Sequence, residues 1–296
     1  MIRQVALLAV LALSIGGLAP GPTLARAPAA GARHVIVLSF DGARPDALQR
    51  VWPPSLRAQS AASWSARTIL PSSTMPSHTS MVSGVGPEIH RVTFNDWQPG
   101  QPRLSLPTIF TEVRRAGGTV RLLVAKRKLE FLAAPDLVTY LSFPRHRQED
   151  VIERAGQVFA QERPALLFIH VADPDDAGHR HGWMSEPYLN VISELPLLIA
   201  RLLGDVSAAG QLATTLLIVT ADHGGHGRTH GTALPEDMTI PWVALGGAAR
   251  AGVTLNQAIR TYDTAATVLA ALGLPIPAGW QGRPVAEALA TPAPTR

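Results

Sequence analysis

The chain has 296 residues, 46% of them hydrophobic and 16% charged, which is enough apolar material for a sizeable globular core. Its formal net charge of +4, with no run of like charges, argues against a nucleic-acid-binding protein and suits a small anionic partner. It contains no cysteine, which excludes disulfide stapling and thiolate metal sites, so any metal must be held by histidine and carboxylate.

At the N-terminus, Arg3 precedes an apolar run over residues 5–13 that extends loosely to Ala19, and the A-x-A-like Ala25-Arg26-Ala27 follows. This pattern predicts a signal peptide or leader over residues 1–30 and a periplasmic or secreted protein. Gly16, Gly17 and Pro20 interrupt the run, so a spanning helix is not expected there. Pro28 directly after Ala27 disfavours cleavage at that bond and points to a cut nearby. No later run is long enough to span a bilayer. Residues 31–296 carry no long polar or Ser/Gly linker and are expected to form one domain.

Next along the chain, "RHVIVLSFDG" predicts a buried strand from His34 to Phe40 that stops at Asp41-Gly42. Apolar runs bounded by turn signals recur in "GGTVRLLVA", "RPALLFIHVAD", "TTLLIVTADHGG" and "TIPWVALGG". Between them, "LPTIFTEVRRAGG", "QEDVIERAGQVFAQE" and "EPYLNVISELPLLIARLLGDVSAAG" show helical periods. Strands apolar on both faces, separated by amphipathic helices, predict an α/β fold with a mostly parallel central sheet and helices on both faces.

The chemistry-bearing residues fall where such strands end. Asp41 ends the first, Asp173 and Asp175 follow "LLFIHVA", and Asp222-His223 follow "LLIVTA". The carboxyl ends of strands line the ligand crevice of an open α/β sheet, so three strand ends deliver metal-type ligands to one edge. In "VADPDDAGHRHG", Asp175 and His179 are four apart and share a face if a helical turn forms there. In "TADHGGHGRTHG", glycines let the chain fold tightly around a centre, and Asp222, His223, His226 and His230 cannot all bind the same ion. His226 is left out, as the histidine to expect outside a coordination sphere. In "LPSSTMPSHTSMVSGVGPE", the stretch "SHTSMVSG" predicts a short helix ended by Gly84, with Thr74 just before Met75-Pro76. Thr74 can be an ordinary helix cap. It can equally be a nucleophile that metal coordination activates at the positive helix end.

On "VIVLSFDG", "STMPSHTSMVSG", "DPDDAGHRHG", "TADHGGHGRTHG" and "YDTAATVLAALGLPIPAGWQGRPVAEAL", in that order, the chain resembles the alkaline phosphatase superfamily, in particular its nucleotide pyrophosphatase/phosphodiesterase-like branch. The resemblance runs from about residue 34 almost to the end and implies an alkaline-phosphatase-like fold. It also implies two divalent ions, zinc by type, with Asp41, Thr74, Asp222 and His223 as ligands of one and Asp175, His179 and His230 as ligands of the other. The implied reaction is attack by Thr74 on phosphorus, a phosphothreonine intermediate, and its hydrolysis by water. Asn95, in "HRVTFNDW", matches an asparagine that donates to a phosphoryl oxygen in this branch.

The ester is less narrowly indicated. Threonine at the nucleophile position leans away from classical alkaline phosphatases, and "TMPSH" lacks the C/S-x-P-x-R setting of sulfatases. "LLVAKRKLEFL" puts Lys126 and Lys128 after a predicted strand. That spacing is similar to a Lys-x-Lys feature of phosphonoacetate hydrolases and a Lys-x-Arg feature of some threonine-using phosphomonoesterases, which implies substrate-binding roles. Two such cations favour a doubly charged phosphoryl group, whereas ordinary solvated lysines are the simpler alternative. The expectation is therefore a small phosphorylated substrate, with phosphodiester or nucleotide pyrophosphate cleavage first and phosphomonoester or phosphonate hydrolysis behind it. A non-catalytic metal- or phosphate-binding protein on this scaffold would be expected to lack a ligand or the nucleophile, and none is missing.

Overall fold

The computed structural model describes residues 31–290; the proposed leader lies outside the described residues. His34–Phe40 forms β1, buried along its whole length, in a sheet of eight strands. The others are β2 (Ala61–Arg67), β3 (Val120–Val124), β4 (Val138–Tyr140), β5 (Leu166–Val171), β6 (Thr215–Thr220), β7 (Thr239–Leu245) and β8 (Val253–Thr254). Their order across the sheet is β4-β3-β5-β1-β6-β7-β2-β8. β5 and β6 flank β1 in parallel, and both are buried throughout, as mostly apolar strands in a doubly covered sheet are. β7 runs antiparallel to both β6 and β2, so the sheet is mixed and mostly parallel.

Two helix groups cover the sheet. Gln148–Glu162, Asp173–His181 and Glu186–Ala208 pack together, while Thr74–Ser83, Ile109–Arg115 and Asp263–Ala271 form the other group. The Gln148–Glu162 helix coincides with the predicted helical stretch and buries Val151, Ile152, Ala155, Val158 and Phe159. The Thr74–Ser83 helix starts three residues earlier than "SHTSMVSG" suggests, because Pro76 sits in the first turn, where its missing N–H costs nothing. Gly84 ends it at φ 69, the left-handed conformation that favours glycine. β2 has no counterpart among the predicted strands: "AASWSAR" lacks a continuous apolar run, and a register irregularity lies between Ser63 and Ala66. Among the described residues, no helix is long and apolar enough to cross a membrane.

The registers Phe40↔Val171 and Ser39↔Thr220 align the carboxyl ends of β1, β5 and β6. The residues that follow, Asp41, Asp173 to Asp175 and Asp222, therefore leave the sheet at one edge. β3 ends beside them, with Val124 opposite His170, and the chain runs directly into Lys126.

Candidate active site

Asp41, Asp175 and Asp222 are buried at this edge, together with His223. Each carboxylate has one oxygen held by the protein and the other without a partner. Oδ2 of Asp41 lies 2.6 Å from Lys126 Nζ and accepts from Nε2 of His170 at 2.9 Å, while its Oδ1 has no hydrogen bond. Oδ2 of Asp175 accepts from Lys126 Nζ at 2.5 Å, and its Oδ1 is unpartnered. Oδ1 of Asp222 accepts from the amides of Gly42 and His223 at 3.1 and 3.0 Å, and its Oδ2 is unpartnered.

The histidines follow the same rule. Nδ1 of His223, His230 and His179 lies 2.8, 2.9 and 3.0 Å from the carbonyls of Gly224, Ser72 and Arg228, which are acceptors only. Each ring therefore carries a proton on Nδ1 and turns Nε2 toward the carboxylates, the arrangement in which backbone contacts orient metal-binding imidazoles. Nε2 of His223 is 3.3 Å from both Asp41 Oδ1 and Asp222 Oδ2. On the other side, Nε2 of His179 and of His230 lie 3.4 and 3.6 Å from Asp175 Oδ1. Asp175 and His179 share the Asp173–His181 helix at i and i+4, as their spacing predicts. Ligand-type atoms of Asp175, His179 and His230, and again of Asp41, Asp175 and His223, lie within 4.8 Å of one another, so the two halves adjoin.

Thr74 is the first residue of its helix and does not cap it: Ser73 occupies the N-cap, and the buried Thr74 Oγ1 has no hydrogen-bond partner. The helix reaches the cluster through His78, whose Nδ1 lies 2.8 Å from the Thr74 carbonyl and 3.4 Å from Asp222 Oδ2. Asn95 lies at the same helix end, its Oδ1 accepting from the amide of Met75 at 3.0 Å. Lys128 Nζ donates to the Asn95 carbonyl and to its Oδ1 at 3.2 and 3.1 Å. His226 turns away, with Nδ1 2.7 Å from Asp237 Oδ1.

The unpartnered atoms test whether ions fit. Four buried polar atoms of this cluster have no partner, Asp41 Oδ1, Asp175 Oδ1, Asp222 Oδ2 and His223 Nε2, and Thr74 Oγ1, at the start of the helix that reaches the cluster through His78, is a fifth. Leaving so many buried polar atoms unsatisfied is costly unless something else binds them. Oxygen and imidazole donors without thiolate suit divalent ions of the zinc type, so the residues fit the group. Burial alone would keep the Asp41 carboxyl protonated, yet Lys126, His170 and His223 hold it well below the usual carboxylate range. Asp175 is likewise buried but lowered, chiefly by Lys126. Burial opposes charging of His223, but Asp222 and Asp41 outweigh it and raise the imidazole to about 9. These shifts keep the Asp41 and Asp175 carboxyls ionised, as ligands of a cation must be, and His223 would have to give up its second proton to an ion.

Several residues that matter here escape a motif reading. His170 interrupts the apolar run of β5; its Nδ1 accepts from the Ala125 amide at 3.3 Å, so Nε2 carries the proton donated to Asp41. A lone histidine in a buried strand is the signal that points to it. Trp183 Nε1 and Tyr188 Oη both donate to the carbonyl of Gly42, at 2.9 and 3.0 Å, and brace the turn after β1. Nothing in the local sequence marks these two.

Known proteins share this architecture. An inactive variant of murine ectonucleotide pyrophosphatase/phosphodiesterase 5, solved in complex with AMP, superposes with a TM-score of 0.70 at 18% identity, over 83% of this chain and 96% of that one. A 2-O GAG sulfatase superposes with a TM-score of 0.68 at 13% identity, over 86% of this chain and 73% of that one. In sequence, the chain is 25% identical over 232 residues to human ectonucleotide pyrophosphatase/phosphodiesterase family member 7, covering 67% of this chain and 51% of that protein. It is also 27% identical over 158 residues to the 2,3-bisphosphoglycerate-independent phosphoglycerate mutase of Thermomicrobium roseum, covering 51% of this chain and 29% of that enzyme. The chain thus spans about half or less of these curated relatives. Residues 35–229 match the family model "Type I phosphodiesterase / nucleotide pyrophosphatase", and the chain belongs to this family of the alkaline phosphatase superfamily.

Proposed function

We propose that the protein is an exported metal-dependent phosphohydrolase that cleaves phosphodiesters or nucleotide pyrophosphates. The observation that carries this reading is the pairing rule of the site: each candidate carboxylate and imidazole ligand has one polar atom held by the protein and the other turned toward its neighbours, and the buried Thr74 Oγ1 has no partner. Asp41, Thr74, Asp222 and His223 would hold one zinc-type ion, and Asp175, His179 and His230 the other. When bound, such a pair of ions supplies charge stabilisation to the attacking, leaving and non-bridging oxygens of a phosphoryl transfer.

Thr74 Oγ1 is the nucleophile. It attacks phosphorus, one bond to an ester or bridging oxygen breaks, and the departing alcohol or phosphate takes up the threonine's proton, leaving a phosphothreonine that still carries the substrate's other substituent. Water then attacks the same phosphorus, the bond to Oγ1 breaks, and the threonine hydroxyl re-forms. The Thr74–Ser83 helix directs its positive end at the transferring group. Because Asn95 uses its Oδ1 for the Met75 amide and Lys128, its amide N–H groups are left to donate to a phosphoryl oxygen. AMP bound to the murine relative supports a nucleotide-like ligand.

A second reading, phosphomonoester or phosphonate hydrolysis, draws on one observation: Lys128 brings a cation to Asn95, where a second phosphoryl charge would be met. Turnover of bis-p-nitrophenyl phosphate and of the p-nitrophenyl ester of thymidine monophosphate, against p-nitrophenyl phosphate, separates the readings. Faster cleavage of the diesters is expected; a preference for the monoester would favour the second reading. Inertness toward all three in metal-replete protein would leave a binding protein instead.

A further inference from the structure

Lys126 has no free role at the mouth of the site. Its Nζ lies 2.6 Å from Oδ2 of Asp41 and 2.5 Å from Oδ2 of Asp175, and these two carboxylates belong to different halves of the cluster. Both turn the opposite oxygen, Oδ1, toward histidine Nε2 atoms: Asp41 toward His223, and Asp175 toward His179 and His230. The brace extends further. Ala125, the preceding residue, donates its amide to Nδ1 of His170, whose Nε2–H donates to the Asp41 oxygen that Lys126 also holds. Lys128 has a separate partner, Asn95, so the two lysines of the "KRK" stretch divide their work.

We infer that Lys126 is a positioning residue that spans the two candidate ion sites. It fixes Asp41 and Asp175 with Oδ2 turned to the ammonium and Oδ1 turned to the ions. This rests on the metal reading proposed above. A compact ammonium with three donors can satisfy two carboxylates at once, and it offsets the repulsion among three carboxylates buried at one strand edge. The role differs from substrate binding, since an ammonium committed to two carboxylates has little charge left for a phosphoryl group.

Two measurements on Lys126→Met and Lys128→Met test it, neither needing substrate, so absence of phosphohydrolase activity would not decide the matter. In chelator-treated protein, Lys126→Met is expected to lower the melting temperature by about 6 °C or more, as expected when two buried carboxylates lose the cation they share. Lys128→Met should stay within about 1 °C of wild type. Should Lys126→Met fail to fold, adding Asp175→Asn removes one of the stranded charges and is expected to restore folding. In the cobalt(II)-substituted protein, freeing Oδ2 of Asp175 allows two-oxygen coordination, so the visible d–d band of Lys126→Met should weaken by about twofold or more. A general loss of stability would not change that band. A Lys126→Met protein that melts like wild type, a double variant no more stable than the single one, or a cobalt spectrum superimposable on wild type would each overturn the inference.

Discussion

The amide of Gly42 donates to Oδ1 of Asp222 at 3.1 Å, joining the ends of β1 and β6 across 180 residues of sequence. This bond turns Asp222 so that Oδ2 faces His223, and it holds the exit of β1 against the segment that follows β6. Gly42 has φ +68, and a Cβ there would lie 3.1 Å from Asp175 Cα and 3.2 Å from its Oδ1. Gly42→Ala is therefore expected to cost about 1–3 kcal/mol of stability through backbone strain and crowding. It should also weaken metal affinity by about tenfold or more, because Asp175 and Asp222 are displaced together. Denaturant melts and chelator competition measure the two effects, and a variant equal to wild type in both would count against the Gly42 account.

Thr74→Ala removes the proposed nucleophile while leaving six candidate ligands in place. Turnover of every ester should fall by about a thousandfold or more, with much of the metal retained. Metal content by atomic spectroscopy, set beside turnover, separates loss of the nucleophile from loss of the ions. Near-normal turnover in this variant would remove Thr74 from the mechanism.

Asn95 and Lys128 act as a pair at the helix end in this account. Lys128→Ala is expected to reduce kcat/KM for a monoester by about tenfold more than for a diester, since only the monoester presents a second charge. Asn95→Ala should lower both, by roughly 10–100-fold, as expected for a lost donor to a phosphoryl oxygen. Equal effects of Lys128→Ala on the two substrates would leave that lysine no part in recognising charge.

Away from the cluster, His90 is a candidate for acid sensitivity. Burial pushes its pKa down to about 4; its Nδ1 accepts from the Val92 amide and its Nε2 lies 2.9 Å from Ser80 Oγ. The folded chain takes up this proton less readily than the unfolded chain, whose histidine titrates near 6.5. The stability it contributes is thus complete above about 6.5 and is lost as the pH falls through about 4. His90→Gln should flatten the pH dependence of the melting temperature across that window; an unchanged slope would assign the acid sensitivity elsewhere.

Much of this arrangement is legible in the sequence because it is written in rare side chains at strand ends. Asp41, Asp175 and Asp222-His223 each follow an apolar run, and the parallel order of β5, β1 and β6 converts those three positions into one edge. His179 is readable from its i,i+4 spacing to Asp175. Other features depend on tertiary contacts that local pattern does not encode. β2 draws its place in the sheet from pairing with β7 and β8, not from its own polar residues. The direction of β7 follows from the chain reversal after the His230 loop. Lys126 and Lys128 are indistinguishable as neighbours in sequence, yet a two-residue offset at the end of β3 sends one to the carboxylates of Asp41 and Asp175 and the other to Asn95.

The most direct test is metal stoichiometry followed through chelation. Purified protein is expected to hold two divalent ions per chain, to lose its esterase activity on exhaustive dialysis against a chelator, and to regain it on adding zinc. A chain that binds no divalent ion, or whose turnover survives complete chelation, would contradict the account at its root.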